Sequence, residues 1–297
     1  MKKRGQVTIF IVLGIIVFIF FGIYFYANNV SSKIKTQSAV TTSLDPSDSE
    51  IVAVYAESCI KRIGQEALFN RIGLHGGYID PDGNPEYGEE GAAESTSYLG
   101  NKVPYYLERT DSRYVTLYPS GQKISKKLAN YMIVEFEKCL KPDAFEQLGI
   151  KIIKPNVNYQ SIGFDFSRTE VKVDISMNKE DVTINLHYPL LIKKGKNEAK
   201  LSSFSATLPI RLKALYDSSE ELVNKIMSMP NGEYTITPSD CNSFDKNGLT
   251  NVYIKTSDDG AKIVQFVDFS TYMGHYFNSY IFQFAVKNVD VNGGCVG

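Results

Sequence analysis

The sequence has no excess of charge of either sign. Its 32 Lys and Arg residues nearly balance 33 Asp and Glu residues, which gives a formal net charge of -1. Proteins that bind nucleic acid usually cluster basic side chains against the phosphate backbone, so nucleic acid is not an expected partner. The composition instead fits a folded protein, since 43% of the residues are hydrophobic and 12% are aromatic.

Signatures of catalysis are also missing. The three histidines, His75, His187 and His275, stand in no Gly-x-Ser-x-Gly or His-Glu-x-x-His context. Ser120 and Lys123 have Ser-x-x-Lys spacing, but the partner motifs Ser-Asp-Asn and Lys-Thr-Gly are absent, which favours helix capping by Ser120. The sequence therefore indicates no catalytic residue and no cofactor, and it favours a non-enzymatic protein.

Cysteines are few and widely spaced. No two of them are close in sequence and none has a histidine at ligand spacing, which argues against zinc. An even number of thiols in a compartment without a reducing buffer indicates disulfides, and four thiols permit three pairings. Because each half of the chain holds two cysteines, we predict the bridges Cys59–Cys139 and Cys241–Cys295.

One long apolar run stands at the amino terminus. Residues 7–27 carry no charge, and about 20 such residues in a helix cross a hydrocarbon core of about 30 Å. Lys2, Lys3 and Arg4 precede the run, so the positive-inside rule predicts a cytoplasmic amino terminus and an extracellular remainder. We expect a single-pass protein of the cell membrane, with the lipid bilayer as partner. Removal of the run as a signal peptide is the alternative.

The patterns along the rest of the chain predict two kinds of unit. Asp45-Pro46 predicts the start of a helix that ends near Gly73, and a second helix is expected over residues 121–140. Later residues alternate as in antiparallel strands, with one helix at 215–229. We predict an α+β fold with an N-terminal transmembrane helix, then a mixed helical unit and an antiparallel β-sheet unit with a covering helix. The expected segments are a cytoplasmic stub with the anchor (1–29), a stalk (30–49), a helix and short-strand unit (50–150) and a β-rich unit (151–297).

Three weaker patterns bear on ligands. Asp80, Asp82, Asn84 and Glu86 alternate as at the start of a calcium loop, but Pro85 stands where an EF-hand loop has glycine, so a turn is favoured. Asn29-Val30-Ser31 matches the N-glycosylation pattern. A run of aromatic residues near the carboxy terminus suggests either a glycan- or protein-binding surface or, by default, packing: Tyr272, Tyr276, Phe277, Tyr280, Phe282 and Phe284.

Two short motifs carry family resemblances. Lys3-Arg4-Gly5-Gln6 before the apolar run resembles the class III signal of archaeal type IV pilin-like proteins, which implies cleavage between Gly5 and Gln6. That family usually has a glutamate five residues into the mature chain, where this sequence has Phe10. Glu57-Ser58-Cys59 and Gly76-Gly77-Tyr78-Ile79 are similar to motifs of uncharacterised membrane-anchored surface proteins of small-genome archaea, a resemblance that implies no activity.

The sequence thus leads to a hypothesis about role rather than chemistry. We expect a membrane-anchored extracytoplasmic surface protein that serves as a binding, adhesion or pilin-like structural component. Its partners would be other surface proteins or glycans. A surface-anchored hydrolase is the alternative, and it requires a nucleophile and a base to meet in one cleft.

Overall fold

A computed structural model describes residues 45–111, 113–156, 170–244, 250–271 and 279–295. The predicted stub, anchor and most of the stalk lie outside these residues, as do the candidate cleavage site Gly5-Gln6 and the candidate glycosylation site Asn29. Among the described residues, no helix combines the length and apolar character that a membrane crossing requires.

The first helix begins where the sequence predicts. In α1, Pro46–Ala67, Asp45 is the N-cap, and its side chain accepts a hydrogen bond from the Ser47 backbone N–H at 3.0 Å. Asp45 thereby satisfies one of the free N–H groups of the first turn, while Pro46 has no N–H to satisfy. The helix continues as a π-helical turn, Leu68–Gly73, so the predicted end near Gly73 is confirmed.

The second long helix packs on the first. In α2, Gly121–Cys139, Ser120 is the N-cap and accepts from the Lys123 N–H, which confirms its predicted role. A 3-10 segment, Pro142–Leu148, follows. The described residues also contain α3, Leu212–Met227, at the helix expected over 215–229, and a short α4, Pro238–Phe244.

Fourteen strands lie within the part of the chain that the structure describes. In chain order they are β1 Gly83–Asn84, β2 Glu89–Glu90, β3 Ser95–Tyr98, β4 Asn101–Thr110, β5 Arg113–Thr116, β6 Lys151–Ile153, β7 Lys172–Met177, β8 Val182–Lys194, β9 Asn197–Leu208, β10 Glu233–Ile236, β11 Thr250–Thr256, β12 Lys262–Asp268, β13 Tyr280–Lys287 and β14 Asp290–Gly293. The expected alternation in β7 and β8 is present, because Val182, Ile184 and Leu186 are buried while Asn185 and His187 are exposed.

The longer strands form two sheets. One has four antiparallel strands, with β6, β7 and β9 all pairing with β8. The other has six strands in the order β11-β12-β13-β4-β3, with β5 paired to β4. Helix α1 packs against the first sheet, where Gly64 approaches the side chains of Ile184 and Leu208 too closely for a Cβ to fit.

The predicted fold was wrong beyond its α+β class. The second half of the chain is not a separate antiparallel sheet, because β13 pairs in parallel with β4 of the first half, with Ala285 opposite Tyr105. Strands β10 and β14 are also parallel. Residues 38–297 accordingly cluster as one compact unit, and most buried apolar side chains of both halves share one core.

Candidate functional site

Both predicted disulfides are present. Cys59 of α1 is bonded to Cys139, the last residue of α2, with Cα atoms 6.0 Å apart. Cys241 of α4 is bonded to Cys295, whose backbone forms two hydrogen bonds with Val252 of β11. The bridges therefore join elements that are distant in sequence, and the predicted pairing is confirmed.

A cleft of about 390 Å³ opens beside the first disulfide, between α1 and α2. Arg62 donates a hydrogen bond from Nη2 to the Cys139 Sγ at 3.0 Å, and the Tyr55 hydroxyl donates to the Cys139 carbonyl oxygen at 3.0 Å. Lys138 pairs with Glu135 at 2.7 Å. Because these polar groups contact one another, we assign the cleft to the support of the bridge rather than to ligand binding.

The four candidate calcium ligands do not converge. The Asp80 side chain accepts from the Asp82 backbone N–H at 3.0 Å, and the Asp82 carboxylate pairs with Lys102 at 2.5 Å. Asn84 accepts from the Glu86 N–H at 2.9 Å, and Glu86 pairs with a lysine of α2 at 2.6 Å. Each oxygen thus has its own turn or ion-pair role, and in the described ranges no three His, Cys, Asp or Glu side chains are arranged for a metal ion.

A buried ion pair links Glu89, in the segment between α1 and α2, to Lys127 in the middle of α2. Lys127 Nζ lies 3.2 Å from Glu89 Oε1, and their side chains are only 7% and 1% exposed. The Glu89 carboxylate also accepts from the backbone N–H groups of Ile79, at 3.0 Å, and Asp80, at 2.8 Å. Above the pair, Lys127 Nζ lies 3.3 Å from the centroid of the Tyr78 ring, a cation–π contact.

Burial moves both groups of this pair toward their neutral forms. It lowers the pKa of Lys127 to about 8, although the Glu89 charge acts in the opposite direction. Burial also raises the pKa of Glu89, against the effect of Lys127 and the two backbone donors. A lysine with such a pKa can act as a base or a nucleophile in an open cleft. Here the Tyr78 ring and the carboxylate enclose Nζ, so we assign the pair to holding the loop on α2.

Sequence reasoning missed this pair for a physical reason. Lys127 lies between Ile124 and Leu128 on the buried face of α2. A lysine next to apolar residues in a helix is usually expected to extend its ammonium group to solvent. Its partner Glu89 is far away in the sequence and stands in an acidic, loop-like stretch. The Gly76-Gly77-Tyr78-Ile79 motif includes two residues that contact the pair, but it gave no indication of a buried lysine.

The groups that a hydrolase would need are dispersed. The His75 ring lies 3.3 Å from the Ile79 carbonyl oxygen, and His187 lies 3.3 Å from the Ser203 hydroxyl on the exposed face of the β8–β9 pair. Ser120 caps α2, and His275 lies outside the described residues. The described histidines therefore form no cluster with Ser120.

A serine and a lysine do meet elsewhere, at α3 and α4. Lys225 donates to the Ser243 hydroxyl at 3.0 Å, and it pairs with Glu221 at 2.8 Å and Asp240 at 3.0 Å. Burial acts to lower the pKa of Lys225, but the hydrogen bonds to Glu221 and Asp240 raise it above the usual value. The amine therefore stays protonated and cannot take the hydroxyl proton, so these groups do not form an activated nucleophile.

One surface residue combines exposure with an unfavourable backbone. Leu99 is 82% exposed at the tip of the turn that joins β3 to β4. Leu99 and Gly100 have φ angles of +48° and +79°, and turns with two such residues favour Asn-Gly. A leucine there is disfavoured both by its backbone and by its contact with water. We call this side chain the Leu99 knob.

Phe269 is exposed at the same end of the six-stranded sheet. It is 54% exposed and directly follows Asp268, the last residue of β12, which pairs with Tyr280. Because β13 and β4 are parallel, their first residues, Tyr280 and Asn101, lie toward this same end of the sheet. Strand β13 lies between β12, which leads to Phe269, and β4, which follows the Leu99 turn.

The aromatic run of the carboxy terminus does not supply a surface in the part that is described. Tyr280, Phe282 and Phe284 are fully buried, and Phe284 stacks on Tyr106 at a centroid distance of 4.5 Å. This is the packing role expected by default. The other residues of the run, Tyr272, Tyr276 and Phe277, lie outside the described residues.

A second apolar surface lies on the first half of α1. Ile51 and Val54 are 47% and 53% exposed, and they lie in an open groove of about 550 Å³ that we call the α1 groove. Its lining residues are Ser47, Glu50, Ile51, Val54, Tyr55 and Ser58. Helix α1 thus buries one face in the core and presents an apolar strip to solvent on another.

No family model, curated protein or solved structure matches this chain. The function is therefore argued from its own surfaces and bonds.

Proposed function

We propose that this chain is an extracytoplasmic surface protein that acts by binding, as an adhesion or pilin-like structural component. The observation that carries the proposal is the Leu99 knob, where an apolar side chain is held in water by a backbone that disfavours it. Non-glycine residues with positive φ cost free energy and cluster at sites of function, so the backbone of Leu99 supports contact of its side chain with a partner. Other surface proteins or glycans are the proposed partners.

The disulfides support the extracytoplasmic part of the proposal. Each of the four cysteines is bonded, and the bridges link residues 80 and 54 positions apart. Such bridges persist in compartments without a reducing buffer and are rare in the cytosol. The anchoring role of residues 7–27 and the cytoplasmic amino terminus stay predictions.

The hydrolase alternative has less support. A hydrolase requires a nucleophile and an unprotonated base within hydrogen-bonding reach, about 3 Å, in one cleft. Ser243 is within reach of Lys225, but the pKa of that amine is raised. Ser203 is within reach of His187, but the two lie on the exposed face of the β8–β9 pair and not in a cleft. The buried Lys127 has a lowered pKa but is closed off from a substrate.

Two treatments of intact cells test the location and the binding role. Added protease should remove the described residues at the surface, whereas digestion only after lysis would contradict the location.

A membrane-impermeant cross-linker tests the binding role. It should give adducts of the wild-type chain that Leu99→Asn loses. The matched control is Leu148→Asn at another exposed leucine, which should keep them. Identical adducts in all three chains would contradict binding through the knob.

A further inference from the structure

We propose that Lys127 and Glu89 react with each other in the folded chain, so that an amide bond between their side chains replaces the buried ion pair. The starting geometry is the distance of 3.2 Å between Lys127 Nζ and Glu89 Oε1, in side chains that are 7% and 1% exposed. The nucleophile and the carboxyl group belong to one molecule, so the site needs no access for a substrate. This modification is independent of the binding role of Leu99.

The fold holds the two reacting groups together. Lys127 lies in the middle of α2, and the Glu89 carboxylate is fixed by the backbone N–H groups of Ile79, at 3.0 Å, and Asp80, at 2.8 Å. An amine and a carboxyl group held in contact react far faster than the same groups free in solution. Lys127 Nζ also has no well-aligned hydrogen bond in the described part of the chain, so its approach to the carboxyl carbon breaks none.

Burial removes the usual obstacle to this reaction. In water the two groups stay charged, and a protonated amine has no free electron pair with which to attack. In this site burial lowers the pKa of Lys127 to about 8 and raises the pKa of Glu89. Transfer of a proton from the amine to the carboxylate therefore costs less free energy than it does in water.

The backbone at Glu89 can stabilise the intermediate of the reaction. When Nζ adds to the carboxyl carbon, negative charge develops on one carboxyl oxygen. The Asp80 N–H already donates to Oε2, so it can hold that oxygen as an oxyanion. The other oxygen, Oε1, is the one that Nζ contacts, and it accepts from the Ile79 N–H.

The reaction balances within the pair. Nζ gives one proton to Oε1, and the electron pair that this frees forms the bond from Nζ to Cδ of Glu89. A second proton then passes from Nζ to Oε1, the Cδ–Oε1 bond breaks, and Oε1 leaves as water. Oε2 becomes the carbonyl oxygen of the amide, and no other reactant is required. The buried site hinders the reverse reaction, because hydrolysis requires water to enter it.

An exposed ion pair provides the comparison within the same chain. Lys138 Nζ lies 2.6 Å from Glu86 Oε1, which is closer than the buried pair, but these side chains are 49% and 48% exposed. Burial acts to lower the pKa of Lys138, but hydrogen bonds to Glu135 and Glu86 raise it above the usual value. This amine keeps its proton, so we expect no amide bond between Lys138 and Glu86.

The proposed bond lies inside the loop that the first disulfide closes. Residues 89 and 127 both fall between Cys59 and Cys139. Reduction opens the disulfide but leaves an amide intact, so the bond would keep the segment around Glu89 on α2 whatever the redox conditions. The chain keeps the ion pair until the bond has formed.

Peptide mapping of the full-length, reduced wild-type chain tests the bond. Trypsin should release residues 72–102 joined to residues 127–138, at a mass lower than the sum of the two peptides by one water, about 18 Da. Fragment ions should place the link at Glu89 and Lys127. Unjoined peptides alone, a link between Glu86 and Lys138, or loss of water without joining of two peptides would overturn the proposal.

Lys127→Arg separates the bond from the ion pair. Arginine keeps a cation beside Glu89, but its guanidinium stays protonated and does not attack a carboxyl group. The variant should release residues 72–102 as a free peptide. Lys138→Arg, at the exposed pair, is the matched control and should keep the joined peptide. Loss of the joined peptide in Lys138→Arg would overturn the assignment to the buried pair.

Refolding tests whether the fold makes the bond, and it does not depend on any variant. Wild-type chain dissolved from inclusion bodies and held in urea should give only separate peptides. The same chain should gain the joined peptide after the urea is removed. A joined peptide in the urea-held chain, or none after refolding, would contradict a reaction that depends on the folded site.

Discussion

Among single residues, Lys127 has the least usual environment. Its ammonium group is surrounded by the Glu89 carboxylate and the Tyr78 ring, and burial lowers its pKa to about 8. A buried pair of this kind adds little net stability relative to apolar residues, but removal of one partner leaves a charge uncompensated. The contribution of Lys127 to the free energy of unfolding is therefore best measured by replacing it.

We predict that Lys127→Met lowers the free energy of unfolding by about 3–5 kcal/mol, because Glu89 would keep its burial and lose its cation. Urea denaturation at neutral pH measures the change. The matched control is Lys123→Met, one turn earlier on the exposed side of α2, which should stay within about 0.5 kcal/mol of the wild type. Equal effects of the two substitutions would contradict the buried pair.

Asp240 is a residue whose titration should be visible in acid. Burial acts to raise its pKa, but hydrogen bonds from the Thr237 backbone and hydroxyl and from Lys225 lower it from 3.8 to about 2. Because the folded-state pKa lies below the unfolded one, this carboxylate contributes stability above about pH 4. That contribution is lost as the pH falls through about 2.

We therefore predict that Asp240→Asn melts below the wild type at pH 6 and that the difference largely disappears at pH 2, where the wild-type carboxylate is also being protonated. Thermal unfolding followed by circular dichroism at both pH values measures it. Asp174→Asn, on the exposed face of β7, should show little difference at either pH. A difference for Asp240→Asn that persists at pH 2 would refute the linkage.

Among the elements, α1 connects several parts of the fold. Its core face packs on the four-stranded sheet, its Cys59 is bonded to the end of α2, and its π-helical turn leads to the six-stranded sheet. The same helix presents the α1 groove to solvent. A helix held on this many sides is a rigid support for a binding surface.

We predict that the double variant Cys59→Ala, Cys139→Ala loses about 4–5 kcal/mol of unfolding free energy, because the bridge closes a loop of 80 residues in the unfolded chain. Guanidinium denaturation against the wild type measures the loss. The variant Cys241→Ala, Cys295→Ala closes a loop of 54 residues and should lose a similar amount, since the cost varies only with the logarithm of loop length. A loss below about 1 kcal/mol for the first bridge would contradict the chain-entropy account.

At the scale of the whole molecule, the parallel pairing of β4 with β13 is the decisive feature. It joins β4 of the first half to β13 of the second half, so that β3, β4 and β5 extend the sheet formed by β11, β12 and β13. The buried side chains Tyr106, Phe282 and Phe284 then pack across that junction. Buried side chains of the two halves thus share one core, so we expect the halves to depend on each other for folding.

We predict that residues 38–297 unfold in a single cooperative transition and that a separately expressed fragment of residues 45–150 does not fold. Calorimetry of the full-length chain should give equal calorimetric and van't Hoff enthalpies for this transition. Far-ultraviolet circular dichroism of the fragment should lack the helical signal of α1 and α2. Two separate transitions, or a folded fragment, would show that the halves are independent.

The candidate sites were only partly predictable from the sequence. Ser120 and the disulfide pairing followed from local spacing and from the distribution of cysteines, and both are confirmed. The exposure and positive φ of Leu99 could not be predicted, because Leu-Gly is not a turn signal and exposure depends on what packs around the hairpin. Lys127 and Glu89 meet only because the loop after α1 folds back onto α2.

The sequence by itself determined the local structure. Asp45-Pro46 and Ser120 begin helices through hydrogen bonds within three residues, and alternation in β7 and β8 sets which side chains face the core. Tertiary structure alone decided which strands became neighbours. Tyr105 and Ala285 are opposite each other although 180 positions separate them in the sequence, and no periodicity encodes such a pairing. Only the joint burial of apolar surface from both halves selects it, since that burial exists only when the whole chain is folded.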